Sequence, residues 1–195
     1  MAERVPASLE SALADLMGWL DAAHIPSMII GGVAASVLGR PRLTQDVDAL
    51  AVLPEADWAE AIRLAPQFNI LSRIDNALQF AKRSRVLLMR HTTSGIDVDL
   101  IFGELPFERA AVANCENHDV GGIRVRLPRV EDLLVMKAIA RRPKDVEDLQ
   151  GLLAAHPELD VASARRWIRE FAIAMSMPDM LREFDALLAQ RPPQG

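Results

Sequence analysis

The chain carries one cysteine, Cys115, in 195 residues. A single thiol cannot close an internal disulfide or nucleate a zinc cluster, which suggests a reducing compartment. Only His118 lies near it in sequence, and no third group orients the pair, so Cys115 reads as an inert buried thiol. Long hydrophobic runs are also lacking. The longest uncharged stretch, Ala22 to Gly39, is broken by His24, Pro26, serines and glycines, and reads poorly as a membrane span. The opening MAERVPASLE has early acid and no apolar h-region, so no secretory signal is expected. The expectation is a cytoplasmic protein with no membrane partner.

Positive charge is in deficit, with 22 Lys and Arg against 27 Asp and Glu and a net charge of −5. That argues against a broad surface coating nucleic acid. Local contact with RNA stays open through Arg40 and Arg42, or through Lys82, Arg83, Arg85 and Arg90. Trp19, Trp58 and Trp167 give no base-stacking pattern, and His24, His91, His118 and His156 form no H-E-x-x-H.

What is present is a clear alternation of elements. Leu9, Leu13, Leu16 and Leu20 recur at helical spacing. Met28–Ile30 reads as a buried strand entering Gly31–Gly32, and Val33 to Leu38 as a short helix closed by Gly39. A strand is expected over Val47–Leu53, and a helix from Pro54–Glu55 to about Leu64 with a break at Pro66. Ile74 to Lys82 reads as helix. Val86–Met89 and Ile96–Phe102 read as a hairpin across Thr92–Gly95. Phe107–Ala113 is helical, and Gly121–Gly122 separates two short extended pieces. After Pro128 the pattern is helical, at about 130–141, 144–154, 160–175 and 179–190, with a frayed tail at Pro192–Gly195. The expected organisation is an α/β core over residues 1–128 and a helical extension over 129–195 packed on it.

Two alternating carboxylate pairs stand out. Asp46 and Asp48 interrupt an apolar strand and face the same way, with Cα atoms about 6.7 Å apart. Asp97 and Asp99 repeat the arrangement, with Ile96, Val98 and Leu100 on the opposite face. Such carboxylates resist crowding unless something positive sits between them, and a divalent metal is the simplest partner. If the strands are neighbours, a third carboxylate reaches the first pair, as two-metal phosphoryl or nucleotidyl transfer requires. Mg²⁺ suits the carboxylate donors, with Mn²⁺ as the alternative. The pairs alone do not decide between Asp97 and Asp99. Gly31–Gly32 permits close backbone approach at a helix start that can hold phosphate. Thr44 can orient a phosphate or cap the backbone, while Arg40 and Arg42 can meet a triphosphate or an RNA acceptor. Lys137, Arg141 and Lys144 would form one basic stripe if Pro143 does not break the helix. Such a stripe could reach the β/γ-phosphates or pair with Asp145 and Asp148.

The string Gly31-Gly32-x-Ala34-x3-Leu38-Gly39-x2-Arg42-x-Thr44-x-Asp46-x-Asp48 resembles the signature of the DNA polymerase β-like nucleotidyltransferase superfamily. The likeness is nearest to AbiEii-type toxins and their small relatives, and it extends through Pro128–Leu133, Lys137 and Arg142-x-Lys144-Asp145-x2-Asp148, over about residues 28–150. The segment Gly-Gly-Val-Ala-Ala-Ser departs from the Gly-Ser-x-Ala-Arg-Gly of antitoxin-type minimal transferases. Ala35–Ser36 replaces the Arg–Asp pair of CCA-adding enzymes.

The resemblance implies a minimal nucleotidyltransferase fold of the α+β kind, a mixed twisted sheet flanked by helices with a C-terminal helical extension. It implies that Gly31 and Gly32 position the triphosphate, with Arg42, Thr44 and Lys137 as further nucleotide ligands. Asp46 and Asp48 would bind Mg²⁺, and Asp99 would be the third carboxylate, with Asp97 in reserve. Lys137 and Asp145 would lie on helices that approach the nucleotide. The expected activity is transfer of an NMP from an NTP to a hydroxyl of an RNA end such as tRNA, a protein or a small molecule. A toxin role would add a cognate antitoxin. The competing expectation is a non-catalytic nucleotide-binding or antitoxin-like protein of the same fold.

Overall fold

The computed structural model describes residues 6–190. The expected frayed tail and the first half of the opening segment lie outside them. Two units are distinguished, one formed by the residues up to Val33 with Leu43–Leu127, the other by Ala34–Arg42 with the residues from Pro128 onward.

In the first unit, α1 (Ala7–Ala22) buries Leu9, Leu13, Leu16 and Leu20, the stripe its spacing demands. It leads into β1 (Ser27–Ile30). Next come the start of α2 (Gly31–Leu38), β2 (Asp46–Ala51), a 3₁₀ turn and α3 (Trp58–Leu64). The α-helix ends at Leu64, as expected before Pro66, but the chain goes on turning. Pro66 sits inside a second 3₁₀ turn, Ala65–Phe68, because its fixed φ suits a helical first turn. β3 (Ile70–Ser72) follows, and α4 starts at Ala77 rather than Ile74, running to Ser84. β4 (Val86–His91), β5 (Asp97–Phe102), α5 (Pro106–Ala113), β6 (Glu116–Val120) and β7 (Ile123–Leu127) complete the unit.

The main sheet is mixed and twisted, in the order β1-β2-β5-β4-β3, and β6 and β7 form a separate hairpin. β2 and β5 run parallel, and the other neighbours in the main sheet are antiparallel. Alternation divides its faces. Val47, Ala49 and Ala51, Val98, Leu100 and Phe102, and Leu87, Met89 and His91 are all buried on one side. Trp58 stacks on Phe102 there, with ring centroids 3.9 Å apart. Trp19 donates its indole N–H to the Ala61 carbonyl at 2.9 Å, which satisfies a polar atom in the core. All four aspartates of the two alternating pairs belong to the opposite face.

In the second unit, α6 (Val130–Ala140), α7 (Pro143–Ala155), α8 (Ala162–Ala174) and α9 (Asp179–Leu188) pack through Leu133, Leu134, Leu149, Leu152, Ile168 and Phe184. Residues 34–42 join these helices by close backbone approach. A Cβ on Gly39 would lie 3.1 Å from the Leu152 nitrogen, and one on Gly151 would lie 3.2 Å from Arg40 Cβ. His156 Nε2 lies 2.7 Å from the Leu38 carbonyl oxygen. The conditional basic stripe does not form: α6 ends with Arg141 in the left-handed region, and Pro143 opens a new helix.

Candidate active site

The site is built where two strands run side by side. The parallel register sets Asp46 beside Asp97 and Asp48 beside Asp99. Strand neighbours lie about 4.8 Å apart, so the period-2 pattern of each segment becomes one patch of four carboxylates. On the other edge of β5, Arg90 of β4 is opposite Asp97, and Leu88 is opposite Asp99.

The glycine turn closes on this patch. Gly31 has a φ of 65°, open to glycine at little cost. A Cβ there would lie 2.7 Å from Asp48 Cγ and 2.8 Å from Asp48 Cβ. The absence of a side chain at Gly31 therefore lets the turn rest directly against the Asp48 side chain. Gly32 follows in the first turn of α2. Thr44 Oγ1 donates to Asp46 Oδ1 at 3.0 Å, so in this structure the hydroxyl orients the carboxylate.

Two arginines hold the β5 pair. Arg73, one residue beyond β3, donates from Nη1 to Asp97 Oδ2 at 2.7 Å and from Nη2 to Asp99 Oδ1. Arg90 Nε donates to Asp97 Oδ1 at 2.7 Å. The Arg90 hydrogen bond, with the charges of Arg73 and Arg90, holds the Asp97 carboxyl below its usual range. Asp99 is pushed the other way. Burial raises it, the charges of Asp97 and Asp46 add to that, and Arg73 offsets only part. Among the described residues, no three or more His, Cys, Asp or Glu form a group that could hold a metal ion. Asp97 and Asp99 are turned to arginine instead.

The remaining expected ligands, Arg42 and Lys137, belong to the helical unit and meet there around Asp148. Arg42 makes a two-pronged pair with it, Nε to Oδ1 at 2.8 Å and Nη2 to Oδ2 at 3.1 Å. Lys137 Nζ donates to Asp148 Oδ2 at 2.6 Å and to Asp145 Oδ1 at 3.1 Å, and its side chain is 3% exposed. Asp145 also takes Arg142, including its backbone N–H at 3.0 Å, which caps the start of α7. Burial raises both carboxyls, but the arginine and Lys137 hydrogen bonds prevail, and both end below the usual range. Cys115 is half-buried rather than buried as expected, and burial raises its thiol pKa.

Sequence reasoning missed Arg73. It lies 24 and 26 residues before its partners in a stretch read as the approach to a helix, and no local pattern marks it.

Against solved structures, the chain is similar to the antibiotic-resistance factor ANT(2'')-Ia in solution. The identity is 13% and the TM-score 0.59, over 88% of this chain and 96% of that one. It is similar to an antigenic nucleotidyltransferase-like protein from Paracoccidioides brasiliensis at 16% identity and TM-score 0.55, over 95% of each chain. A crystal structure of ANT(2'')-Ia with adenylyl-2''-tobramycin aligns at 15% identity and TM-score 0.50, over 91% of this chain and 98% of that one. These likenesses show a shared nucleotidyltransferase-type fold. No curated protein sequence matches the chain significantly. A family model does match, over residues 9–181, and by it the chain belongs to the family described as Nucleotidyl transferase of unknown function (DUF2204).

Proposed function

We propose that the protein is a Mg²⁺-dependent nucleotidyltransferase that moves an NMP from an NTP to a hydroxyl and releases pyrophosphate. The observation that carries this reading is the register of β2 on β5, which brings Asp46, Asp48 and Asp99 onto one face beside the Gly31 turn. The donor set consists of carboxylate oxygens, the chemistry a hard divalent ion selects, so Asp46, Asp48 and Asp99 would hold it, with Asp97 in reserve. When bound, that ion lowers the pKa of a coordinated hydroxyl and stabilises charge on phosphorus. Asp99, half-buried and raised in pKa, suits the task of taking the acceptor hydroxyl proton. As the acceptor oxygen bonds to the α-phosphorus, the bond from that phosphorus to the pyrophosphate oxygen breaks. Gly31 and Gly32, which carry no side chains of their own, let the triphosphate approach the backbone beside Asp48. Thr44 fixes Asp46. Arg42 and Lys137 act on this reading as counter-ions that order the helical unit.

Kinship with AbiEii-type toxins, and with it a cognate antitoxin and a cytoplasmic site of action, belongs to the same proposal and rests on the Arg42-x-Thr44-x-Asp46-x-Asp48 motif. Among the described residues no helix is long and apolar enough to cross a membrane. The acceptors to test are a tRNA end, a protein side chain and a small-molecule hydroxyl, the last suggested by the adenylyl-tobramycin held by ANT(2'')-Ia. The hold of Arg73 on Asp97 and Asp99 favours a second reading, a non-catalytic nucleotide-binding or antitoxin-like protein. Assay of pyrophosphate and of orthophosphate from each NTP, with and without these acceptors, separates the readings. Acceptor-dependent pyrophosphate release supports transfer, orthophosphate alone indicates a phosphohydrolase, and nucleotide binding without release supports the second reading.

A further inference from the structure

We propose that Arg73 is the resident counter-ion of the carboxylate patch, a positioning residue whose guanidinium holds Asp99 until a divalent cation displaces it. The inference rests on the metal-dependent reading above and concerns how the site is kept before it is loaded.

Arg73 is fixed at its root, since its backbone N–H donates to the Leu88 carbonyl at 2.9 Å. Leu88 is the β4 residue opposite Asp99, so the anchor aims the side chain at that carboxylate. Its two Nη groups divide between the β5 carboxylates, one on Asp97 and one on Asp99. The two contacts are not equivalent. Asp97 has a second cation, Arg90, at 2.7 Å from directly across the sheet, so it stays compensated if Arg73 leaves. Asp99 takes its compensation from Arg73, while Asp46 and Asp97 bear on it with like charge.

The seat is also incomplete. Arg73 Nε is buried and has no hydrogen-bond partner. A guanidinium with an orphaned N–H has lost water without full repayment, which weakens the case for a purely structural ion pair. Repulsion among adjacent carboxylates must be met by some positive charge in the unloaded protein, and Arg73 supplies it without closing the site permanently. A divalent ion carries more charge to the same oxygens, so ion and guanidinium compete for Asp99.

The test is Mn²⁺ binding to the full-length protein, read by electron paramagnetic resonance of free Mn²⁺, for the wild type, R73Q, R73K and D48N. Removing the competitor should tighten Mn²⁺ binding to R73Q by roughly three- to tenfold, the factor one partly buried ion pair supplies. R73K keeps a charge but loses the fork, and should fall between wild type and R73Q. It decides the matter alone if R73Q does not fold. Mn²⁺ binding that is unchanged or weaker in the folded Arg73 variants, while D48N abolishes it, overturns the role of Arg73 and leaves the metal site standing. Absence of Mn²⁺ binding from wild type and Arg73 variants alike overturns the metal reading and this inference together.

Discussion

Asp48 and Asp99 occupy the same step of the register on two parallel strands, with Asp46 and Asp97 paired two residues earlier. Neither segment could place these carboxylates together alone. The parallel pairing of β2 with β5 converts two local alternations into one site, flanked on one side by the Gly31 turn and on the other by Arg73 and Arg90.

Gly31 is the most exacting position beside that site. G31A meets two penalties: a left-handed φ of 65° and overlap with the Asp48 side chain. The backbone term alone costs about 1–2 kcal/mol. Urea unfolding should show at least that loss, and Asp48 must shift to admit the methyl group. Nucleotidyl transfer should then fall by on the order of 100-fold in protein that is still folded, since small misplacements at a reacting centre carry such factors. Folded G31A with full activity would show that close approach to Asp48 is dispensable.

Lys137 should behave as a buried counter-ion. K137M leaves Asp145 and Asp148, both buried, without a shared cation. Removing one partner of a buried pair costs about 3–5 kcal/mol, and because Arg42 and Arg142 still hold the two carboxylates the loss should lie at the lower end. Equilibrium denaturation should show a loss of that size, and adding D148N to K137M should recover part of it.

The same cluster fixes a dependence on pH. Asp145 and Asp148 lie below the ordinary carboxylate range in the folded protein. Their contribution is therefore complete above the unfolded value, near pH 4, and is lost as pH falls through the folded values. The stability gap between wild type and D145N/D148N should be constant from pH 7 to about 5 and shrink below about 4. Denaturant titrations across that range check the sign.

Legibility from sequence followed locality. The Leu9–Leu20 stripe, the β4–β5 hairpin and the four C-terminal helices were readable because each is written in a single period over a continuous segment. β3 was not, because three residues, Ile70–Ser72, are too short to show alternation. Residues 34–42 were read with the core, since nothing in Gly39 announces its approach to Leu152. At the site, the four aspartates and Gly31 were legible by spacing. Of the two readings open for the basic stripe, the pairing with Asp145 and Asp148 is made by Lys137 alone among its residues, and tertiary packing buries it. Arg73 could be found only in three dimensions.

The role proposed for Asp46, Asp48 and Asp99 is nucleotidyl transfer. Its most direct test is incorporation from each α-³²P-labelled NTP, with Mg²⁺, into total tRNA, cell-extract protein and small-molecule acceptors, comparing wild type with D48N. Label is expected with the wild type and a loss of on the order of 10³-fold or more with D48N, the scale of removing a group that acts on charge in the transition state. Equal incorporation by the two proteins would contradict it.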